Sequence, residues 1–411
     1  MLYADGRTLQ RPFLVLDEYG RIDGSDPQNS LLVSFDEMSH EIRQYTYTVY
    51  HLNYDFRRSD LLSADYLQGF TTQDITDYET SMNTQRDYTH YSFTFPNADM
   101  AITHSGNYVI HIYEDGDVEK TVADVCFSVV QPKAGITAKI KANTQEEYNG
   151  RYQQLDIDID TRLINLQNPD DIRLVVTQNN RQDNCVSGVR PTYIEQDRLR
   201  YENNRRLIFE GGNEYRRFDT YSVYYAGYNV NRIVYNNNDY HALLEADDNR
   251  GVTFSTDKTG TPYIYDKDAN GQFVVNSERT DYSDTEAEYM WVHWFLPMPE
   301  PFFDGLLYVG GDIFYNDFTL ANRMTYDNDR KGYYLNALVK QGGYEYQYMF
   351  LSKERGRHNS RGDMPSYIKG ATLLRTEGSH WQTNNSYTIY VYYRPFGSRA
   401  DELIGLERVG Q

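Results

Sequence analysis

Residues 44–51 read Gln-Tyr-Thr-Tyr-Thr-Val-Tyr-His and residues 155–160 read Leu-Asp-Ile-Asp-Ile-Asp. In the first stretch Tyr45, Tyr47 and Val49 alternate with Thr46, Thr48 and Tyr50. In the second, Leu155, Ile157 and Ile159 alternate with Asp156, Asp158 and Asp160. A period of two sends successive side chains to opposite faces, so each stretch reads as a strand with one face in a core and one in water. Such one-sided burial is the mark of antiparallel sheets.

The same period recurs along the chain. Tyr108, Ile110 and Ile112 form one stripe, Tyr344, Tyr346, Tyr348 and Phe350 another, and Tyr387, Ile389, Val391 and Tyr393 a last one. Turn-forming strings stand between the stripes: Glu114-Asp-Gly-Asp117, Gly211-Gly-Asn213, Asp268-Ala-Asn-Gly271 and Asn328-Asp-Arg-Lys-Gly332. No long segment carries apolar residues at helical spacing, and Ser59–Gly69 is the one place where a helical turn is expected. Short strands with regular turn punctuation predict an all-β chain of tandem immunoglobulin-like, early-set β-sandwich domains. The polar string near Gln131-Pro-Lys133 and the acidic string near Tyr282-Ser-Asp-Thr285 divide the chain into units 1–131, 132–284 and 285–411.

Composition narrows the function classes. The chain has 411 residues, 39% hydrophobic and 15% aromatic, with 40 tyrosines. Chains poor in aromatics fail to fold, and this one is rich in them. Sixty acidic residues against 40 basic ones give a formal net charge of -20. That balance opposes nucleic-acid binding and docking on an anionic membrane surface, both driven by Lys and Arg. No run of 18 apolar residues is present, so no membrane-inserting helix is expected. Cys126 and Cys185 fall in different units and are expected to be free thiols.

No catalytic motif stands out. The nine histidines, His40, His51, His90, His104, His111, His241, His293, His358 and His380, show no metal-ligand spacing. There is no nucleophile elbow and no phosphate loop. Asp156, Asp158 and Asp160 line up on one strand face, but a calcium loop wraps its ion around a tight turn, so a solvated face is expected there. Arg361-Gly-Asp363 is read as a chance tripeptide. Catalytic residues, metals and cofactors are expected to be absent, and no binding residue is singled out. Trp291 and Trp294 lie in the apolar run Tyr289-Met-Trp-Val-His-Trp-Phe295 and are expected in a core.

Longer strings carry a resemblance. The first unit holds His51-Leu-Asn-Tyr-Asp-Phe56, Ser59-Asp-Leu-Leu62, Asp65-Tyr-Leu-Gln-Gly-Phe70, Tyr88-Thr-His-Tyr91 and Phe93-Thr-Phe-Pro-Asn97. The middle holds Gln178-Asn-Asn-Arg181 and Phe209-Glu-Gly-Gly-Asn-Glu-Tyr-Arg-Arg-Phe-Asp219. The last holds Asp284-Thr-Glu-Ala-Glu-Tyr289, Glu377-Gly-Ser-His380 and Tyr392-Tyr-Arg-Pro395. In this order they resemble the plug proteins of the Bacteroidetes type IX secretion system. The chain departs where such proteins usually carry Trp, at Phe56, and Cys, at Leu52, both apolar exchanges that a core tolerates.

The resemblance implies a non-enzymatic periplasmic protein that closes the inner mouth of a large outer-membrane β-barrel translocon. It implies a signal peptide, which the opening Met1-Leu-Tyr-Ala-Asp-Gly6 does not resemble. The acidic charge would then steer the protein toward a basic rim. An alternative reading is a carbohydrate-binding array. The order of strands and turns from Tyr289 to Tyr348 resembles early-set modules that include starch-binding domains. That reading expects an exposed aromatic cluster around Trp381 or Tyr315.

Overall fold

In the computed structural model, which describes residues 2–4, 7–8, 11–251, 263–353 and 370–410, the chain is almost wholly β. His358 and Arg361-Gly-Asp363 lie outside the described residues. The expected helical turn is Ser63–Tyr66, where the Asp65 carboxylate accepts the Leu62 N–H at 2.8 Å. Every expected stripe is a strand with that face inward. Tyr45, Tyr47 and Val49 are buried, as are Leu155, Ile157 and Ile159, and Tyr344, Tyr346, Tyr348 and Phe350. Asparagines make several of the tight turns. Asn179–Asn180 and Asn237–Asn238 both have positive φ, the twist that suits a two-residue hairpin.

The first sandwich closes over a core rich in aromatic rings. One sheet orders Phe13–Val15, Thr121–Val130, Gly106–Glu114, Tyr45–Leu52 and Thr72–Ile75. The facing sheet contributes Leu31–Glu37, Thr89–Phe95 and Asp77–Thr80. Between them Tyr108 stacks on Phe127 with ring centroids 5.3 Å apart, and Tyr45 meets Tyr91 edge-on at 4.8 Å. Such pairs add about 0.5–1.5 kcal/mol beyond the area they bury.

The other two cores do not follow chain order. The second sandwich packs Gly135–Lys141, Tyr152–Asp160 and Arg198–Tyr201 against a sheet ordered Arg181–Ser187, Ile172–Gln178, Tyr387–Tyr393, Glu402–Val409. The third is inserted into it and centred on Trp294. It packs Val230–Asn236, Asp239–Leu244, Tyr289–Pro297 and Gly332–Lys340 against Arg216–Asp219, Phe273–Val275, Gly305–Gly310 and Gly342–Ser352. The boundary expected at 284/285 therefore does not separate cores, and the last strands belong with the middle unit. The reason is register. Ile172–Gln178 pairs along its whole length with Tyr387–Tyr393 rather than with a neighbour in sequence. Gln131-Pro-Lys133 is likewise no free linker, because Gln131 N–H and Lys133 N–H donate to Leu403 and Ile404 carbonyls.

Trp294 matches its expected place, but Trp291 does not. Met290, Val292, Trp294 and Leu296 are buried, while Tyr289, Trp291, His293 and Phe295 face the other way and are half-buried. The apolar run is an alternating strand, not a continuous core segment.

The first and third sandwiches meet at a buried ion pair. The nine-stranded sheet that joins them runs through the short strands Leu2–Ala4 and Arg7–Thr8. Beside it the Lys340 ammonium lies 2.6 Å from Asp36 Oδ2 and 4.2 Å over the Tyr88 ring, and it donates to the Asp284 carbonyl at 2.7 Å. Asp36 also faces His90 Nδ1 at 2.6 Å and accepts from the Tyr289 hydroxyl at 2.7 Å. Burial pushes the Asp36 carboxyl up, but His90 and Lys340 more than offset it and hold it below the ordinary carboxylate range. A pair this buried is costly to break from one side, because the remaining charge has lost its partner. Lys340→Met is expected to destabilise the protein by about 3 kcal/mol, and adding Asp36→Asn to recover part of that loss. Urea midpoints of the two variants measure both effects.

Candidate interaction surface

The acidic stripe is neutralised by its neighbours. Asp156 pairs with Lys141 at 2.6 Å, Asp158 lies 3.8 and 3.9 Å from Arg198 and Arg200, and Asp160 meets Arg162 at 2.6 Å. Lys141, Arg198 and Arg200 come from flanking strands and Arg162 from just past the strand's end, so most of the stripe is a cross-strand ion ladder. No group of three or more metal-ligating side chains is found among the described residues. Cys126 and Cys185 are free thiols.

The histidines have other uses. His51 is buried between the Ser59 hydroxyl and the Ser105 carbonyl, and burial lowers its pKa to about 4. His241 Nδ1 and His293 Nε2 stand 3.0 Å apart. They are 52 residues apart in sequence and are brought together by parallel pairing of their strands, which no local spacing reveals.

Tyr315 and Trp381, the two residues named by the glycan reading, do not come together in one exposed aromatic cluster. Tyr315 lines a cleft of about 240 Å³ with Asp36, His90 and Lys340. Trp381 lines a separate groove with Ile140, Gln153 and Asn384. Trp291 is tied down, its Nε1 donating to Asp239 at 3.2 Å with Arg86 bonded twice to the same carboxylate.

A cluster of exposed tyrosines forms elsewhere, on the third sandwich. The loop Tyr221-Ser-Val-Tyr-Tyr-Ala-Gly-Tyr228 holds four tyrosines in eight residues. Its backbone is bonded to the loop before Ser283–Glu286, where Glu278 N–H donates to the Tyr221 carbonyl at 3.0 Å. Arg279 reaches the Tyr224 hydroxyl at 3.3 Å, and Arg217 lies 4.8 Å over the Tyr228 ring. Tyr224, Tyr225, Tyr228 and Tyr282 are all exposed, Tyr282 by 73%. Tyr235, 52% exposed on the adjoining hairpin, packs tilted against Tyr240 with centroids 5.0 Å apart and donates to Gln85 of the first sandwich. Rings held by arginines offer contact area at little entropic cost. The density of tyrosine in 221–228 was legible in the sequence; that these rings stay outside while most other tyrosine stripes turn inward was not.

Three carboxyls of the third sandwich are held well above the ordinary carboxylate range. Glu345 accepts the Ala269 and Gly271 N–H groups at 2.8 and 3.0 Å, and Asp268 accepts the Asn270 N–H at 3.1 Å. Asp312 accepts Asn316 Nδ2 at 2.8 Å. Burial raises each of the three to about 7. A raised carboxyl binds its proton more tightly when folded, so its contribution to stability is lost as pH rises from the ordinary carboxylate range through 7. His51 has the opposite sign, losing stability as pH falls from 6.5 toward 4. Asp312→Asn isolates one of these carboxyls. The variant is expected to gain stability relative to the wild type as pH rises from about 4.5 to about 7.5, read from paired denaturation curves.

Comparison with known proteins adds two findings. Residues 21–131 match a family described as the type 9 secretion system plug protein 1st domain. A crystal structure of a hypothetical protein from Parabacteroides merdae aligns with 100% of this chain and 96% of its own, at 32% identity and a TM-score of 0.89. No curated protein matches.

Proposed function

We propose, for a chain that belongs to the type 9 secretion system plug protein family, that it works without catalysis by closing the periplasmic mouth of an outer-membrane β-barrel translocon. Family membership assigns it a role with that system in the cell envelope, in association with one of its components. The observation that carries the finer reading is the match over 21–131, which covers nearly all of the first sandwich. The architecture supports it. A plug must cover a wide opening without yielding, and here the first and third sandwiches share a nine-stranded sheet and the buried ion pairs Lys340–Asp36 and Arg216–Glu377 stand where free linkers would otherwise be.

The tyrosine surface supplies a contact face of the right chemistry. Interface centres are rich in Tyr and Arg, and Tyr224, Tyr225, Tyr228 and Tyr282 stand with Arg217 and Arg279. The net charge of -20 adds long-range attraction to a basic rim.

Capture of the tagged, periplasm-targeted protein from native membranes, followed by mass spectrometry, is expected to bring down one very large outer-membrane barrel. Recovery should fall as salt is raised. Replacing Tyr224, Tyr225 and Tyr282 together by Ala should cut recovery about tenfold while leaving the thermal midpoint unchanged. No barrel in the captured material, from cells that make one, would refute the reading.

A further inference from the structure

The first sandwich has an open side. Its chain leaves one sheet at Ile75, paired with Tyr45, and joins the other at Asp77, paired with Ser92. Thr72–Ile75 is therefore the last strand of its sheet. In the facing sheet Asp77–Thr80 covers only Thr89–Ser92, so Phe93–Phe95 continues with no strand on that side among the described residues. Between these two edges lies a groove of about 600 Å³.

The groove is built and then left without cations. Its floor is a bonded set: the Tyr47 hydroxyl donates to Gln73 Oε1, and Asn97 Nδ2 donates to the same oxygen at 2.9 Å. Phe93 stacks on Tyr47 with centroids 4.3 Å apart, and Phe70 stands 64% exposed at the mouth. Asp74, Asp77 and Asp99 line it, and no Lys or Arg does. Asp74 accepts the Thr46 hydroxyl at 2.8 Å and Asp77 the Ser92 hydroxyl at 3.4 Å. No ion pair to any of the three occurs among the described residues.

An unpaired strand edge offers main-chain donors and acceptors to another extended chain. Carboxylates along such an edge repel acidic strands, including a second copy of this protein, and attract basic ones. We infer that this groove binds an extended peptide segment with Lys or Arg at alternate positions, which adds as a strand to Thr72–Ile75. Alternate side chains of an added strand take opposite faces, so its cations meet Asp74, which lies on the outer face with Thr46, and its apolar side chains turn inward to Phe93, which stacks on Tyr47; Asp77 and Asp99 add negative charge at the groove. A segment of four residues, about 13 Å long, spans the edge. The site lies apart from the tyrosine surface and does not depend on the barrel reading.

The probe is a fluorescein-labelled hexapeptide of alternating Lys and Val with blocked ends, titrated with the whole chain by fluorescence anisotropy at low salt. Its Glu/Val counterpart and a Lys/Val peptide N-methylated at alternate residues serve as comparisons. The Lys/Val peptide is expected to bind, the Glu/Val peptide not to bind, and N-methylation to weaken binding about tenfold or more, because it removes strand donors and keeps the charges. Asp74→Asn with Asp99→Asn is expected to weaken it about tenfold with an unchanged thermal midpoint. Equal binding of the N-methylated peptide, or no preference for Lys over Glu, would overturn the inference and leave an edge that is merely guarded by charge. Lost peptide binding with barrel capture intact in the same Asn variant would separate this groove from the translocon contact.

Discussion

The Arg216 guanidinium is the point on which the arrangement of the second and third sandwiches depends. The chain crosses from one to the other near residue 212 and returns near residue 380, and Arg216 ties the crossings together. Its Nε lies 3.0 Å from Glu377 on the return path, its Nη1 donates to Asp247 at 2.8 Å and its Nη2 to the Asp248 carbonyl at 2.6 Å. The hydroxyls of Tyr346 and Tyr348 complete the shell by donating to Asp247 at 2.7 and 2.6 Å. Burial alone would lower the Arg216 pKa, but Glu377 and Asp247 more than offset it and raise it. Buried charges are tolerated only when fully paired, so the cluster fixes one register of the crossing and penalises others.

Backbone contacts close around that cluster. His380 N–H donates to the Gly212 carbonyl at 2.8 Å and Asn213 Nδ2 to the Glu377 carbonyl at 2.9 Å. The chains approach so closely that a Cβ on Gly211 would stand 2.0 Å from the His380 carbonyl oxygen, and Gly212 has φ +66°. A side chain at either position would push the crossings apart or strain the turn. The third sandwich is thereby held at both ends, and Lys340 holds it a third time against the first. The tyrosines serve the same end. Tyr88, Tyr387 and Tyr392 bury their rings in junctions or cores while their hydroxyls reach Ala287, Gln153 and Asn107.

Much of this is legible in the sequence. Alternation is a local signal, so the stripes at 45–49, 108–112, 155–159, 344–350 and 387–391 announced their strands and buried faces. The string Phe209–Asp219 announced a turn from its paired glycines. What local pattern does not carry is which distant strand completes a sheet. Ile172–Gln178 takes Tyr387–Tyr393 because both edges are apolar and the intervening segment folds on its own core, a choice made by tertiary packing. For the same reason Arg216 and Glu377, 161 residues apart, gave no sign of each other. The acidic groove was hidden in another way. Asp74, Asp77 and Asp99 look like three of sixty solvated carboxylates until the strand ends bring them to one side.

A body fastened at each junction suits a protein that must cover an opening without parting under load. Ion conductance through the purified translocon barrel in a planar bilayer tests that role most directly, with the protein added from the periplasmic side. The barrel alone is expected to show large, steady conductance, lost when the protein binds. Conductance that stays high while the bound protein is detected on the same barrels would contradict it.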